Sequence, residues 1–71
     1  MENITIDTKD LSKIGSNIEM VQQGNLLILV IDTSKELGMS KSGASMAIAS
    51  TEGMMKLPEK KMLNVWYGRK L

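Results

Sequence analysis

The sequence predicts a mostly β fold, a small antiparallel sheet or barrel of about five strands with one short helical turn. Three observations indicate it. Apolar and polar residues alternate in two segments, Asn3–Asp7 and Ala44–Thr51, as expected for half-buried strands. A run of large aliphatic residues spans Leu26–Ile31, and turn-forming Gly, Asn or Pro separates the apolar segments. With 71 residues, we expect a single domain over residues 1–71.

Residue patterns in the first half of the sequence predict a strand, a helical turn and a hairpin. Asn3–Asp7 alternates as a strand, and Thr8 can cap a short helical turn over Thr8–Gly15, with Leu11 and Ile14 on one face. Gly15 is suited to closing that turn. A hairpin follows over residues 18–33, because Gly24 and its neighbours form a turn signal between two apolar stretches. Its predicted parts are a strand at Ile18–Gln22, a turn at residues 23–25 and the clearest strand at Asn25–Thr33.

Residue patterns in the second half of the sequence predict a loop followed by short strands. Residues 34–43 contain three Ser, two Gly and two Lys, a composition typical of a loop. In Ala44–Thr51 the period of two favours a strand, although Ala and Met also favour a helix. The remaining predicted elements are a hairpin turn at Glu52-Gly53, a strand at Met54–Leu57, a turn at Pro58–Lys61 and a final strand at Met62–Tyr67.

The composition lacks the side chains that most enzymes use for catalysis. The chain has no Cys and no His, so it lacks a thiolate nucleophile, a disulfide and the usual base at neutral pH. Its acidic pairs, Asp7 with Asp10 and Glu52 with Glu59, are typical of solvated turns. We therefore expect a protein that is not an enzyme, with no catalytic residue, no cofactor and no metal.

The sequence also suggests a location. The first ten residues lack the basic and apolar regions of a secretory leader. The longest apolar run, Leu26–Ile31, is far shorter than the roughly 20 residues that span a bilayer. We expect a cytoplasmic protein with no membrane partner.

One segment approaches a phosphate-binding motif. Residues Gly38–Ser45 read GMSKSGAS, which matches the P-loop pattern G-x-x-x-x-G-K-[S/T] except that Ala44 replaces the lysine. Without that lysine no side-chain charge meets the nucleotide phosphates, so we expect no nucleotide hydrolysis by this degenerate P-loop. The segment is then either a flexible connection or a weak anion site formed by backbone amides and Lys41.

The same region carries a family resemblance. The stretch of residues 26–54 contains SKSGA followed by ASTEGM, and it is similar to short, uncharacterised proteins of phage, prophage and archaeal type that carry SKSGK and AST-x-GN. Ala44 and Met54 depart from that pattern. The resemblance implies a β-rich fold and no particular activity.

The aliphatic run predicts self-association. Its residues do not alternate, so both faces of the strand must be covered, and a small sheet with one helical turn supplies too little cover. We expect a homo-oligomer; the alternative is cover from the chain itself, by a loop or helix over a small barrel. The predicted interface residues are Leu26, Leu27, Ile28, Leu29, Val30 and Ile31.

The basic second half predicts a nucleic-acid partner. Residues 1–36 carry six acids and three bases, whereas residues 37–71 carry two acids and six bases. Cations that follow a phosphate backbone, beside aromatic rings that stack on bases, are typical of single-strand binding. The alternatives are that Trp66 fills the core and the lysines form a solvated rim, or that the only partners are proteins. The predicted residues for binding single-stranded DNA or RNA are Lys41, Lys56, Lys60, Lys61, Trp66, Tyr67, Arg69 and Lys70.

Overall fold

The computed structural model describes residues 8–71, so the strand predicted at Asn3–Asp7 lies outside the described residues. The predicted β-rich class is confirmed. The strands are β1 (Ser12–Ile14), β2 (Ile18–Gln23), β3 (Leu26–Ile31), β4 (Gly38–Met39), β5 (Ser45–Ser50), β6 (Met55–Leu57), β7 (Lys61–Leu63) and β8 (Trp66–Lys70). Short 3₁₀ turns lie at Thr8–Asp10 and Pro58–Lys60. In residues 8–71 no helix has the length and apolar character needed to cross a membrane.

The first sheet has the order β1-β2-β3, with both pairs antiparallel. The predicted hairpin is confirmed, since β2 and β3 pair from Ile18 with Ile31 to Gln23 with Leu26. Gly24 has a φ of +59° and Asn25 has no positive φ, the pattern of a type II′ turn with glycine at its first central position. This turn matches the natural twist of the two strands it joins.

The predicted helical turn over Thr8–Gly15 is only partly present. A 3₁₀ turn ends at Asp10, and the chain then extends as β1, in which Ile14 pairs with Ile18. Leu11 and Ile14 therefore do not share a helical face. The reason is tertiary, because the gain from pairing Ser12–Ile14 with β2 outweighs a weak local helical preference.

The second sheet has the order β4-β5-β8, also antiparallel. Strand β5 confirms the strand predicted over Ala44–Thr51, and the short β4 lies within the predicted loop. The register between β5 and β8 shifts between Ala47 and Ala49, so a β-bulge lies at Ile48. This shift lets Ile48 and Ala49, which are adjacent, both become buried.

The third sheet is the hairpin of β6 and β7. The N–H of Lys61 donates to the carbonyl of Pro58, and the central residues Glu59 and Lys60 have φ of +63° and +62°. Two central residues with positive φ are typical of a type I′ turn. The predicted turn at Pro58–Lys61 is thus present.

Two predictions from the sequence are wrong, one of a turn and one of a strand. Glu52-Gly53 does not close a hairpin, because β5 pairs with β4 and β8, while β6 pairs with β7. The predicted final strand Met62–Tyr67 is two strands, β7 and β8, interrupted at Asn64 and Val65. Here Thr51 exchanges backbone and side-chain hydrogen bonds with Val65, which turns the chain from the third sheet into the second.

The first two sheets meet at the turn between β1 and β2. Backbone N–H groups of Ser16 and Ser50 each donate to the other residue's carbonyl, at 2.8 and 3.1 Å. Gly15 (φ +53°) permits this approach, because a Cβ there would collide with the Ser50 carbonyl oxygen. The core behind this junction contains Ile14, Ile18 and Ala49, packed against Met20, Leu29, Ile31, Met55, Leu63 and Val65.

The described residues of a single chain do not cover the aliphatic strand β3 on both faces. It lies at the edge of its sheet among the described residues. Its residues Leu29 and Ile31 pack against the core, but Leu26, Leu27 and Val30 are 49%, 43% and 38% exposed. The apolar composition therefore reflects one core-facing side and one apolar side that residues 8–71 leave partly open.

Candidate nucleic-acid interface

Strand β8 presents Trp66 to solvent. The side chain is 54% exposed, so the alternative that it fills the core is wrong. Its six-membered ring lies over Gly68, since a Cβ built on Gly68 would come within 2.5 and 2.8 Å of two ring carbons. One side of the indole thus rests on the strand. The exposed fraction leaves more than half of the residue's surface open to solvent.

Lys70 extends from the same face of β8 as Trp66. Side chains alternate along a strand, so Trp66, Gly68 and Lys70 share one face. Four steps along the strand place the backbones of Trp66 and Lys70 about 13 Å apart. The opposite face carries Tyr67 and Arg69. The sequence-predicted aromatic pair is therefore split between the two faces, with Tyr67 itself 43% exposed.

Arg69 is already paired. Its guanidinium donates to the Glu36 carboxylate at 2.6 Å, and both side chains are about half exposed. Glu36 comes from the acidic first half, so this pair joins the two halves across the connection between β3 and β4. Arg69 is consequently a weaker candidate for a phosphate than its position in the sequence suggested.

Lys41 lies in the connection between β4 and β5, at the end of the sheet that Lys70 also occupies. Ser45 pairs with Lys70, and the N–H of Leu71 donates to the Ala44 carbonyl at 3.0 Å. The second sheet therefore brings Lys41 and Lys70, far apart in sequence, to one end. In the part of the chain that the structure describes, neither lysine forms a salt bridge.

Several backbone amides of this connection already donate hydrogen bonds within it. The N–H groups of Ser40 and Gly43 donate to the carbonyls of Ser45 and Ser40, at 2.8 and 2.9 Å. The N–H of Ser45 donates to the Ser40 hydroxyl at 3.3 Å. A strand follows Gly43 (φ +72°), whereas a phosphate-binding loop leads into a helix. The segment GMSKSGAS is thus a closed hairpin connection.

The other three lysines belong to the β6–β7 hairpin. Lys56, Lys60 and Lys61 line a shallow hollow of about 280 Å³ together with Leu57 and Met62. Lys61 pairs with Glu59 at 3.4 Å, with both side chains largely exposed. The eight residues predicted for binding thus form two groups on different sheets. Trp66 is the first residue of β8 and directly follows the segment that connects the third sheet to the second.

Gly68 is a residue of the site that sequence reasoning missed. Its Cβ position is filled by the Trp66 ring on one side and the Met46 carbonyl on the other, so only glycine fits. The available signal was a glycine inside an otherwise β-forming segment, WYGRK, which often marks close approach of a ring or backbone.

The structure offers little for covalent or metal chemistry. Across residues 8–71 no three Asp or Glu side chains converge as metal ligands. One carboxyl is perturbed: the Ser34 hydroxyl and N–H donate to Asp32 at 2.6 and 2.9 Å and hold its pKa below the usual value, with a smaller contribution from Lys35. This arrangement is a turn that stabilises the end of β3.

Comparisons with known proteins identify no relative. No protein-family model matches the chain. Neither a curated protein nor a solved structure matches it either.

Proposed function

We propose that this chain is a non-enzymatic, self-associating protein that binds single-stranded nucleic acid through the face of β8 that carries Trp66. The observation that carries the proposal is the indole resting on Gly68 with surface open to solvent. A base stacks on such a ring regardless of its sequence, because every base has a π face.

The surrounding charge suits a phosphate backbone. Lys70 lies on the same face as Trp66, and Lys41 lies at the same end of the sheet as Lys70. About 13 Å of strand between Trp66 and Lys70 is comparable with the length of two nucleotides of an extended strand. A base on Trp66 and a phosphate near Lys70 are thus compatible positions. The hollow of Lys56, Lys60 and Lys61 supplies further cations beyond the start of β8.

The competing proposal is a module whose only partners are proteins, including itself. The exposed apolar side chains of β3 favour it, because large exposed aliphatic residues more often contact protein than nucleic acid. Self-association is common to both proposals, so the oligonucleotide experiment distinguishes them.

The test is fluorescence anisotropy with labelled single-stranded oligonucleotides, DNA and RNA, at low salt. Stacking contributes roughly 1–3 kcal/mol per base, so Trp66→Ala is expected to weaken binding by about 5- to 150-fold. Because Trp66 is 54% exposed, the variant should remain folded by circular dichroism. Met39→Ala is the matched control, since Met39 is 65% exposed on the opposite face of the same sheet.

Unchanged affinity in a folded Trp66→Ala variant would contradict the stacking role. Absence of binding by the wild type to every oligonucleotide at low salt would favour the protein-only module. Double-stranded DNA of the same length is expected to bind more weakly, because paired bases cannot open onto the indole without losing their own stacking.

A further inference from the structure

The open edge of β3 differs from every other strand edge in the described chain. Natural sheets protect their edges with charged residues, especially lysine, or with very short strands. Strand β1 carries Lys13, and β4 has only two residues. The remaining edge strands carry Lys56 in β6, Lys61 in β7, and Arg69 and Lys70 in β8. Strand β3 has six residues and no charge.

Among residues 8–71, the edge of β3 also offers backbone groups without a partner. In a two-residue hairpin the closing pair, here Gln23 and Leu26, exchanges hydrogen bonds, and alternate pairs beyond it do the same. Leu26, Ile28 and Val30 therefore bond to β2. The N–H and carbonyl groups of the residues between them, Leu27, Leu29 and Ile31, point away from β2 toward the open edge.

We infer that a second copy of this chain pairs with β3 antiparallel, edge to edge, so that two three-stranded sheets become one six-stranded sheet. The inference rests on the self-association in the proposed function and names the strand that mediates it. The core supports this choice of partner. Among the described residues, only Ile14, Ile18, Val21, Ile48 and Ala49 are buried hydrophobics, and chains this small commonly gain stability by oligomerising.

Symmetry restricts the register. A two-fold axis perpendicular to the sheet keeps the same face upward in both copies, so residues of the same parity must lie opposite each other. Pairing centred on Leu29 places Leu27 opposite the second copy's Ile31. This register uses all three outward-directed residues and forms six backbone hydrogen bonds. On the outer face Ile28 then lies beside the second copy's Val30, which covers side chains that the single chain leaves open.

Charge placed on this edge should separate the copies without unfolding them. Val30 is 38% exposed and pairs with Glu19 on β2, so Val30→Lys places its amine beside a carboxylate within the same chain. Val30→Thr is the matched control, because it keeps the β-branched shape and adds no charge. By light scattering at high micromolar concentration we expect twice 7.8 kDa for the wild type and Val30→Thr, and 7.8 kDa for Val30→Lys.

Hydrogen exchange of the wild type gives an independent readout that needs no variant. The amides of Leu27, Leu29 and Ile31 should be protected at high concentration and exchange faster on dilution. A dimer in which these amides remain unprotected overturns pairing through β3 but leaves self-association intact. A monomeric wild type overturns both. A monomer with these amides protected shows that the edge is covered within the same chain, which also overturns the inference.

Discussion

The side-chain amide of Asn17 donates a hydrogen bond to the carbonyl of Ile48 at 2.9 Å, across the junction between the first two sheets. The same nitrogen donates to the carbonyl of Asp32, also at 2.9 Å. Ile48 lies at the β-bulge of β5, where the ladder leaves a carbonyl without its regular partner. Asn17 has a φ of +62°, a conformation that asparagine tolerates better than most residues. One side chain thus joins the end of β3 to the bulge of β5.

Removing this amide should destabilise the fold. Asn17→Gly keeps the positive φ but leaves both carbonyls without the donor, at a cost of about 1–3 kcal/mol. Asn17→Ala should be worse by about 1 kcal/mol, because alanine is strained at positive φ. Urea denaturation followed by circular dichroism measures both values. Wild-type stability in Asn17→Gly would show that the hydrogen bonds contribute nothing.

The turn between β6 and β7 can be improved. Glu59 has φ +63° and ψ +32°, and type I′ turns prefer asparagine at this position. Glu59→Asn should raise the free energy of unfolding by about 0.5–1 kcal/mol, because the present residue carries left-handed strain. The loss of its exposed pair with Lys61 subtracts little from that gain. A lower thermal midpoint for Glu59→Asn than for the wild type would contradict the turn assignment.

Glycine substitutions should separate collision from backbone strain. Gly24→Ala meets no atom within 4 Å and should cost about 1 kcal/mol, from its φ of +59° alone. Gly68→Ala has no such φ, but its Cβ would collide with the Met46 carbonyl and the Trp66 ring. We expect a greater loss of stability for Gly68→Ala and a shift in Trp66 emission. Equal costs for the two variants, with unchanged emission, would mean that the indole does not rest on Gly68.

The depressed pKa of Asp32 predicts an acid-dependent contribution to stability. Since the folded-state pKa lies below the ordinary pKa of an aspartate in an unfolded chain, this contribution is fully present above that ordinary pKa. It is lost as pH falls through the folded-state pKa. Ser34→Ala removes the largest cause, the hydroxyl donor, while the backbone N–H remains. Titration by NMR should then show the Asp32 pKa moving up toward the ordinary value of an aspartate, and no movement would contradict the assigned cause.

The predictable parts of the fold were those set by local signals. The hairpin of β2 and β3 follows from Gly24 between two apolar stretches, and β5 follows from its alternation. The pairing of β5 with β8 could not be derived in this way, because 15 residues separate the two strands and contain a complete hairpin. Local alternation likewise does not predict the hydrogen bonds between Thr51 and Val65, which interrupt the strand predicted over Met62–Tyr67.

The candidate site was predictable in residue type and less so in arrangement. Basic and aromatic residues near the C-terminus pointed to β8, but the close approach of the Trp66 ring to Gly68 is a contact that spacing alone does not show. The pairing of Arg69 with Glu36 also cannot be predicted from spacing, because the two residues are 33 positions apart in the sequence. Asn17 left only a weak signal, an asparagine next to Gly15 and Ser16 between two strands.

Salt dependence should identify the lysines that meet phosphates. Each phosphate neutralised on a single strand contributes about 0.7 to the slope of log affinity against log salt concentration. Lys60→Ala and Lys70→Ala should each flatten the slope by about that amount and weaken all sequences alike. Lys61→Ala should change it less, because Glu59 lies 3.4 Å from its amine. Unchanged slopes for Lys60→Ala and Lys70→Ala would place the nucleic acid elsewhere.

The most direct test of the central claim is the emission of Trp66 during titration with an unlabelled single-stranded oligonucleotide at low salt. Trp66 is the only tryptophan, so its signal reports on this one ring. Stacking of a base on the indole predicts saturable quenching that disappears as salt is raised. Binding detected by anisotropy without any change in Trp66 emission would contradict stacking on β8, and the absence of both signals would contradict nucleic-acid binding itself.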